Sequence, residues 1–356
     1  MKIIVATGGT GGHIFPALQT ASVLRGRGHE VIFVGVLDLG EEKVKTQGFP
    51  TIVIHAKGLT NRSLIGLLTF GFLMFQAVGQ GISVLRRTRP DKVIGFGGYG
   101  SFAVVLSAWL LRIPTMIHEQ NVVPGKANRF LERLVKKVAI SFSETENYFN
   151  SKKTVLTGCP CHHKRPLDSK EVLLKKFSLD PQRKTVFVLG GSQGSQKINE
   201  VFFEMMSLWG PKQPIQAIHM TGIKEYPLYL EKYRNSLLPV KVYEFISPIE
   251  EVYAVSDAVI ARAGAATISE LGFFVLPCIL VPYPLADGHQ KYNAQVLSRL
   301  GLAEIIEQKD LTADALKNTL KDLFTLKSDR KPLYQNVKEA FKDSAANELA
   351  LAVESL

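Results

Sequence analysis

Apolar runs of roughly four to six residues recur along the chain and alternate with longer segments of mixed apolar and polar character. Residues 3–6, 31–34, 92–95 and 115–118 are such runs, each closing on Gly, His or turn residues, as buried parallel strands do. The segments between them are amphipathic or apolar, so the order reads as strand, helix, strand, helix: the rhythm of a doubly wound sheet. A polar stretch over residues 150–183, rich in Lys, Pro and Asp, interrupts it and predicts a seam between domains. The rhythm then restarts, with residues 186–189 as a new first strand and residues 215–220, 241–245, 258–261 and 277–282 as later ones. Ile3-Ile4-Val5-Ala6-Thr7-Gly8-Gly9 and Val186-Phe187-Val188-Leu189-Gly190-Gly191 open two similar halves. The fold class this predicts is α/β, with two Rossmann-like parallel-sheet domains facing each other across a cleft. Boundaries are expected at 1–157 and 158–335, with a helical segment at 336–356 outside the second core.

Glycine is concentrated where strands pass into helices. Gly8-Gly9-Thr10-Gly11-Gly12-His13 lies between the first strand and a helix that Pro16 could help start. Glycines there let backbone N–H groups approach an anion, and a helix N-terminus adds partial positive charge. No Gly-Lys-Ser/Thr follows, so this is not a P-loop. Gly95-Phe96-Gly97-Gly98-Tyr99-Gly100 matches the dinucleotide pattern G-x-G-x-x-G, with Glu119 nineteen residues after Gly100. It sits deep in the sheet rather than on the first strand, which weakens a dinucleotide reading. Gly190-Gly191-Ser192-Gln193-Gly194-Ser195 adds hydroxyl and amide donors to glycine N–H groups and suits a diphosphate.

Two further stretches carry polar residues after strands. In Arg262-Ala263-Gly264-Ala265-Ala266-Thr267-Ile268-Ser269-Glu270, Thr267 and Glu270 have capping-box spacing, while the small residues would also allow a ligand to come close and Glu270 could accept bonds from a ribose diol. In Asp287-Gly288-His289-Gln290-Lys291-Tyr292-Asn293, Gln290 and Asn293 share a helical face that suits a polar sugar, or simply a solvated helix start.

Composition narrows the field. A chain of 356 residues, 46% hydrophobic and 21% charged, is long enough for two cores and is neither disordered nor fibrous. The excess of 43 Lys and Arg over 32 Asp and Glu, +11, predicts attraction to something anionic without choosing among nucleic acid, phosphorylated small molecules and acidic membrane. Three cysteines are too few for a disulfide framework, and the apolar start is too short for a signal peptide, so a cytosolic protein is expected.

No Asp-x-Asp occurs, so no acidic pair is offered to a divalent cation on a diphosphate. Departing charge would be met by helix N-termini and backbone donors. Displacement at an anomeric carbon needs a base, for which His13 is the candidate, with His118 and Glu119 in reserve. Cys159-Pro160-Cys161-His162-His163 holds four potential metal ligands that cannot all reach one tetrahedral ion from a short loop, so no metal site is expected.

Residues 63–85 carry no charge and are apolar nearly all round between 64 and 75. The length could span a bilayer, but Gln76, Gln80 and the glycines argue otherwise, as does the cost to a sheet of losing a crossover helix. A buried core helix and a surface helix dipping into lipid, flanked by Arg62, Arg86, Arg87 and Arg89, remain open.

Gly8-Gly9-Thr10-Gly11-Gly12-His13-Ile14-Phe15-Pro16-Ala17, the loop of residues 95–100, His118-Glu119-Gln120-Asn121, the loop of residues 190–194, Glu244-Phe245-Ile246, and residues 262–270 with Gln290 and Asn293 occur in this order. Together they closely resemble the N-acetylglucosaminyltransferases of peptidoglycan synthesis, GT-B glycosyltransferases of family 28. The resemblance implies inverting transfer of N-acetylglucosamine from its UDP derivative to the C4 hydroxyl of undecaprenyl-pyrophosphoryl-muramyl-pentapeptide. It implies no cofactor, no nucleic-acid partner, and peripheral attachment to an anionic membrane surface at the cytoplasmic face of the plasma membrane.

By that likeness Thr10, Gly11, Gly12 and Asn121 lie near the donor sugar, Ser192 binds diphosphate, Ile246 the uracil, Glu270 the ribose, and Gln290 and Asn293 the sugar side. Ala263, Gly264, Ala265, Ala266, Thr267, Ile268 and Ser269 line the nucleotide site. His13 looks like the base, with Glu119 as a second catalytic candidate, and Tyr99 and His118 look like acceptor-side residues. The first domain would bind acceptor and membrane, the second the UDP-sugar, and the C-terminal helix would cross back to the first. The family usually has Gly-Asn-Pro-Val-Arg where this chain has Gly158-Cys159-Pro160-Cys161-His162, so His162 replaces a donor-binding arginine unless Lys164 or Arg165 substitutes. A UDP-sugar epimerase of the same architecture, a dinucleotide-dependent oxidoreductase and a non-catalytic nucleotide sensor are the alternatives.

Overall fold

A computed structural model describes the chain except residues 10, 38–39, 57, 59–62, 162–164, 192, 210–214, 286–287, 326–334, 338–339 and 342–343. Thr10, Arg62, His162, Lys164, Ser192 and Asp287 therefore lie outside the described residues. The chain divides into two compact units, Met1–Cys161 with Ser344–Leu356, and His162–Asp343.

In the first unit, strands β1 (Lys2–Thr7), β2 (Glu30–Gly35), β3 (Thr51–Val53), β4 (Lys92–Gly95), β5 (Thr115–Glu119), β6 (Lys137–Ile140) and β7 (Thr154–Leu156) form one parallel sheet in the order β3-β2-β1-β4-β5-β6-β7. Ile3, Ile4, Val5 and Ala6 are all fully buried, which is why β1 is a continuous apolar run rather than an alternating one. Ile3 and Val5 pack with Ile14, Ala17 and Leu24 of helix α1 (Gly11–Gly26). Ile4 and Ala6 face the other way, onto Ala77 and Leu85 of α3 (Leu64–Thr88) and Val104 of α4 (Gly98–Leu110). The shorter helices α2 (Glu41–Thr46) and α5 (Lys126–Leu131) complete the crossovers.

The second unit repeats the plan with β8 (Lys184–Leu189), β9 (Ile215–Met220), β10 (Val240–Tyr243), β11 (Ala258–Ala261), β12 (Cys278–Leu280) and β13 (Ala303–Ile305), all parallel, in the order β10-β9-β8-β11-β12-β13. Its helices are α6 (Lys170–Lys176), α7 (Gln196–Trp209), α8 (Tyr226–Arg234), α9 (Glu250–Val255), α10 (Ala265–Phe274), α11 (His289–Arg299) and α12 (Ala313–Thr325). Phe202 and Met205 of α7 and Leu316, Leu320 and Leu323 of α12 cover one face of β8. The last helix, α13 (Ala345–Glu354), belongs to the first unit: Leu349 and Val353 pack into the α1 side of its core, and Glu354 accepts from Arg27 at 2.9 Å and meets His29 Nε2 at 2.8 Å.

In each sheet the strand order reverses once, between β1 and β4 and between β8 and β11. Crevices at such switch points, at the carboxyl ends of the strands, are where doubly wound sheets take ligands. The loops that flank them here include residues 8–9 and 96–97 in the first unit, and residues 190–191, 193–195 and 262–264 in the second.

Some expectations need correction. Strands β3, β6, β7 and β13 escape the apolar-run criterion because they are edge or near-edge strands of three or four residues with mixed polarity. The polar seam at 150–183 contains β7 and α6, and the change of unit falls after Cys161. Pro16 does not start α1 but lies inside it, at the sixth position. Helix α3 is a core helix only in its C-terminal half. Its apolar window is only 11% buried, with Ile65, Leu68, Phe72 and Phe75 exposed by 77%, 67%, 61% and 78%. By length and composition it is the one described helix able to cross a membrane. Its C-terminal half, however, is committed to the sheet, where Ala77, Val84 and Leu85 are buried and Ser107 of α4 donates to the Val78 carbonyl at 2.9 Å.

Candidate active site

In the first unit the two glycine loops pack backbone against backbone. A Cβ on Gly98 would stand 2.9 Å from the Gly8 Cα, and one on Gly8 would stand 3.1 Å from the Gly98 Cα. Gly97 and Gly98 also have φ of 94° and 83°, which glycine adopts at no steric cost. The His13 ring lies over this contact, close enough that a Cβ on Gly97 would be 3.0 Å from its Nε2. Glycine is thus required here for imidazole to fit. His13 is half-buried by area, but the packing around the ring removes enough water to push its pKa down to about 4. Gly12, one residue before it, is exposed and faces open space.

The same packing removes the dinucleotide reading of residues 95–100. A Cβ on Gly95 would strike Val105 and Ser101, and one on Gly100 would come 2.6 Å from the Val36 amide nitrogen. These glycines are needed to pack α4 against its neighbours, which accounts for the spacing without a cofactor.

At the end of β5 the structure gives two candidates other roles. His118 is fully buried; its Nε2 donates to the Gly158 carbonyl at 3.1 Å, and its Nδ1 accepts from Gln120 Nε2 at 3.2 Å. Both ring nitrogens are occupied, so its side chain is not placed to touch an acceptor. Glu119 is 2% exposed and accepts from Asn121 N at 2.9 Å, Asn121 Nδ2 at 3.3 Å, Gly125 N at 3.1 Å and Asn128 Nδ2 at 2.7 Å. Burial raises its pKa and these four donors oppose the rise. Its carboxylate folds the loop from 120 to 128 around itself, which makes it a positioning residue for Asn121 rather than a base. Tyr99, 47% exposed, remains available; its ring meets Phe70 of α3 edge-on at 6.1 Å.

In the second unit, Gly190 and Gly194 are glycines of necessity. A Cβ on Gly190 would fall 2.2 Å from Ser195 N, and one on Gly194 would fall 2.1 Å from the Thr221 carbonyl. Gly191, with φ 89°, faces open space. Arg262, 9% exposed, ties the strand ends together. Its guanidinium donates to the carbonyls of Val281 (3.1 Å) and Pro282 (3.3 Å), to Ser195 Oγ (2.8 Å) and to Gln308 Oε1 (2.5 Å). The five-donor fork of arginine is what allows one side chain to hold the loops after β8, β12 and β13.

Glu270 does not form the capping box. Helix α10 begins at Ala265 with Gly264 as its cap, and Glu270, 7% exposed, accepts instead from Tyr253 Oη at 2.8 Å. Gln290 Oε1 accepts from Ala263 N at 3.1 Å and Tyr283 N at 2.9 Å. Asn293 is fully buried and donates to the Ala263 carbonyl at 3.2 Å, so it shapes the turn rather than facing a sugar. Ala263, Ile268 and Ser269 are buried too, and of residues 263–269 only Gly264, Ala266 and Thr267 are partly exposed. Ile246 is 7% exposed, so its side chain is largely withdrawn from the surface. Arg165, a suggested substitute for the family arginine, has its guanidinium carbon 5.4 Å from the Phe273 ring centre. Among the described residues no group of three or more His, Cys, Asp or Glu could hold a metal ion.

Buried neutral histidines give both units an acid-sensitive core. Burial depresses His118 to about 4 and His219 to about 3; His219 lies between Tyr233 Oη and Asn199 Oδ1. Above pH 6.5 neither state binds the proton, so the groups have no effect on stability. As pH falls below 6.5 the unfolded chain is protonated first, and stability is lost until the folded pKa values are passed. The expected loss is about 1.4 kcal/mol per pH unit for each histidine. Urea denaturation at pH 7 and pH 5 checks this; equal stabilities would contradict it.

The sequence also resembles known proteins over both units. The model of the glycosyltransferase family 28 N-terminal domain matches residues 3–140 and that of the C-terminal domain residues 185–349. A UDP-N-acetylglucosamine--N-acetylmuramyl-(pentapeptide) pyrophosphoryl-undecaprenol N-acetylglucosamine transferase of Thermodesulfovibrio yellowstonii is 40% identical, over 89% of this chain and 88% of its own. The protein of the same name from Anaeromyxobacter dehalogenans is 38% identical, over 98% and 91%. The crystal structure of Acinetobacter baumannii MurG superposes with a TM-score of 0.78 at 26% identity, covering 100% of this chain and 99% of that one.

Proposed function

The chain belongs to glycosyltransferase family 28, and from that premise we infer that it transfers N-acetylglucosamine from UDP-N-acetylglucosamine to undecaprenyl-pyrophosphoryl-N-acetylmuramyl-pentapeptide. The observation that carries the chemistry is the lodging of a neutral imidazole, His13, against a glycine loop at the switch point of the first sheet. In this reading His13 takes the proton of the acceptor's C4 hydroxyl. The oxygen then attacks the anomeric carbon, the bond from that carbon to the diphosphate breaks, and UDP leaves with the electron pair. One displacement inverts the configuration.

The loop of residues 190–195 supports the departing diphosphate through main-chain N–H groups at the start of α7, with Ser192 among its members. Arg262 holds that loop through Ser195. Glu270 receives the ribose hydroxyls, the peptide groups of Ile246 the uracil, and Gln290 the sugar. Gly264, Ala266 and Thr267 border the nucleotide. Gly11, Gly12 and Asn121, with Thr10, border the N-acetylglucosamine, and Tyr99 the acceptor.

The exposed start of α3 fits a lipid-borne acceptor and favours the transferase over an epimerase, which needs none. Exposed Ile65, Leu67, Leu68, Phe72 and Phe75 are the apolar anchor, and Arg86, Arg87 and Arg89 lie at the other end of the helix. Large apolar side chains are worth roughly 1.5–3 kcal/mol each when removed from water. Replacing Phe72 and Phe75 together with Asp should therefore weaken binding to anionic vesicles by about a hundredfold or more. Turnover of a water-soluble, short-chain acceptor should change by less than about twofold. Vesicle sedimentation and a soluble-acceptor assay check the two halves.

Incubating the protein with UDP-N-acetylglucosamine, with and without a muramyl-pentapeptide lipid, tests the function itself. UDP and a lipid-linked disaccharide should form together only when the lipid is present. UDP-N-acetylmannosamine formed without lipid would replace this reading with the epimerase.

A further inference from the structure

Tyr253 is 1% exposed, on α9, with its ring held between Phe187, 5.6 Å away and edge-on, and Phe274 at 5.3 Å. Its hydroxyl reaches the Glu270 carboxylate on the next helix at 2.8 Å. A glutamate's last torsion is broad and nearly unconstrained, so the plane of its carboxylate is fixed only by what bonds to it. Here a phenol that cannot itself move donates to Oε2. A carboxylate has about four lone-pair sites, so the bond from Tyr253 takes one of them and helps to set the plane in which the others accept.

We propose that Tyr253 is a positioning residue for donor recognition: it fixes the plane of the Glu270 carboxylate so that it can accept both hydroxyls of a vicinal cis-diol, and so sets the preference for ribonucleotide over deoxyribonucleotide donors. The proposal rests on the reading of Glu270 as the ribose contact. It explains why a fully buried tyrosine rather than phenylalanine occupies a site otherwise walled by aromatic rings. The ribose is remote from the breaking bond, so its recognition contributes alike to substrate and transition state and is seen in KM.

The test compares UDP-N-acetylglucosamine with its 2′-deoxy and 3′-deoxy counterparts on the full-length wild type, Tyr253→Phe, Glu270→Ala and the double variant. Phenylalanine keeps the ring packing and removes only the hydroxyl. Tyr253→Phe should raise KM for the ribo donor about five- to tenfold, less than the full worth of a hydrogen bond to a charged group because the bond acts on the donor only through Glu270, with kcat within about twofold. KM for the deoxy donors should barely move, so the ribo preference shrinks by the same factor. In the Glu270→Ala background, Tyr253→Phe should add nothing. Calorimetric binding of UDP and 2′-deoxy-UDP gives the same comparison without turnover. Equal weakening of ribo and deoxy ligands, or no change in either, would overturn the proposal. If Glu270→Ala abolishes the ribo preference while Tyr253→Phe keeps it, the positioning role fails alone; if Glu270→Ala leaves the preference intact, the ribose reading of Glu270 fails first.

Discussion

Replacing His13 by alanine is expected to lower kcat by about 10²–10⁴-fold, the usual contribution of a positioned base, while donor KM changes by less than about threefold. The ring is lodged on glycine backbone at a switch point, so the substitution removes the proton acceptor without unpacking the sheet beneath. Burial, which pushes its pKa down to about 4, keeps the imidazole unprotonated through the neutral range. The acid limb of kcat/KM should accordingly show no inflection near 6.5, the value of an exposed histidine, between pH 8 and pH 5.5. Steady-state kinetics across that range check both statements; His13→Ala with kcat within tenfold of wild type would remove it as the base.

The second large effect is expected at Arg262. Arg262→Met should raise donor KM by about 10- to 100-fold, corresponding to about 1.4–2.8 kcal/mol, because Ser195 loses its donor and the loop of residues 190–195 is no longer held. Stability should change by less than about 2 kcal/mol, since the substitution removes a costly buried charge as well as its hydrogen bonds. Arg262→Lys should resemble the methionine variant in KM, because an ammonium cannot reach acceptors on three separate loops as the planar fork does. A donor KM unchanged in both variants would mean that the loop keeps its shape without the guanidinium.

Much of the architecture can be read from local patterns. Strands buried on both faces read as near-continuous apolar runs, so β1, β2, β4, β8, β11 and β12 stand out, while β5 and β9 carry buried polar residues such as His118 and His219 within the run. The glycine loops announce themselves because close backbone approach and positive φ admit little else. Side-chain roles are less legible. Glu119 is drawn inward by Asn128, nine residues on, and Arg262 is joined to Gln308, 46 residues away, and no spacing rule links either pair. His118 and Asn293 look like site residues in sequence because polar residues at strand ends and helix starts are common to sites and to the turns that build them. The bonds that Gln120, Asn128, Tyr253 and Arg262 make to the candidate site's loops and side chains became visible only in the structure. Helix α3 is apolar on nearly every face, so its periodicity could not say which side turns inward; the burial of Ala77, Val84 and Leu85 and the packing of Gly81 against Ser107 of α4 decide it.

The central claim is that one displacement, assisted by His13, joins an α-linked sugar nucleotide to the acceptor hydroxyl. The configuration of the new glycosidic bond tests it most directly, read from the anomeric proton coupling of the purified disaccharide product. A β linkage is predicted, and an α linkage would contradict the account.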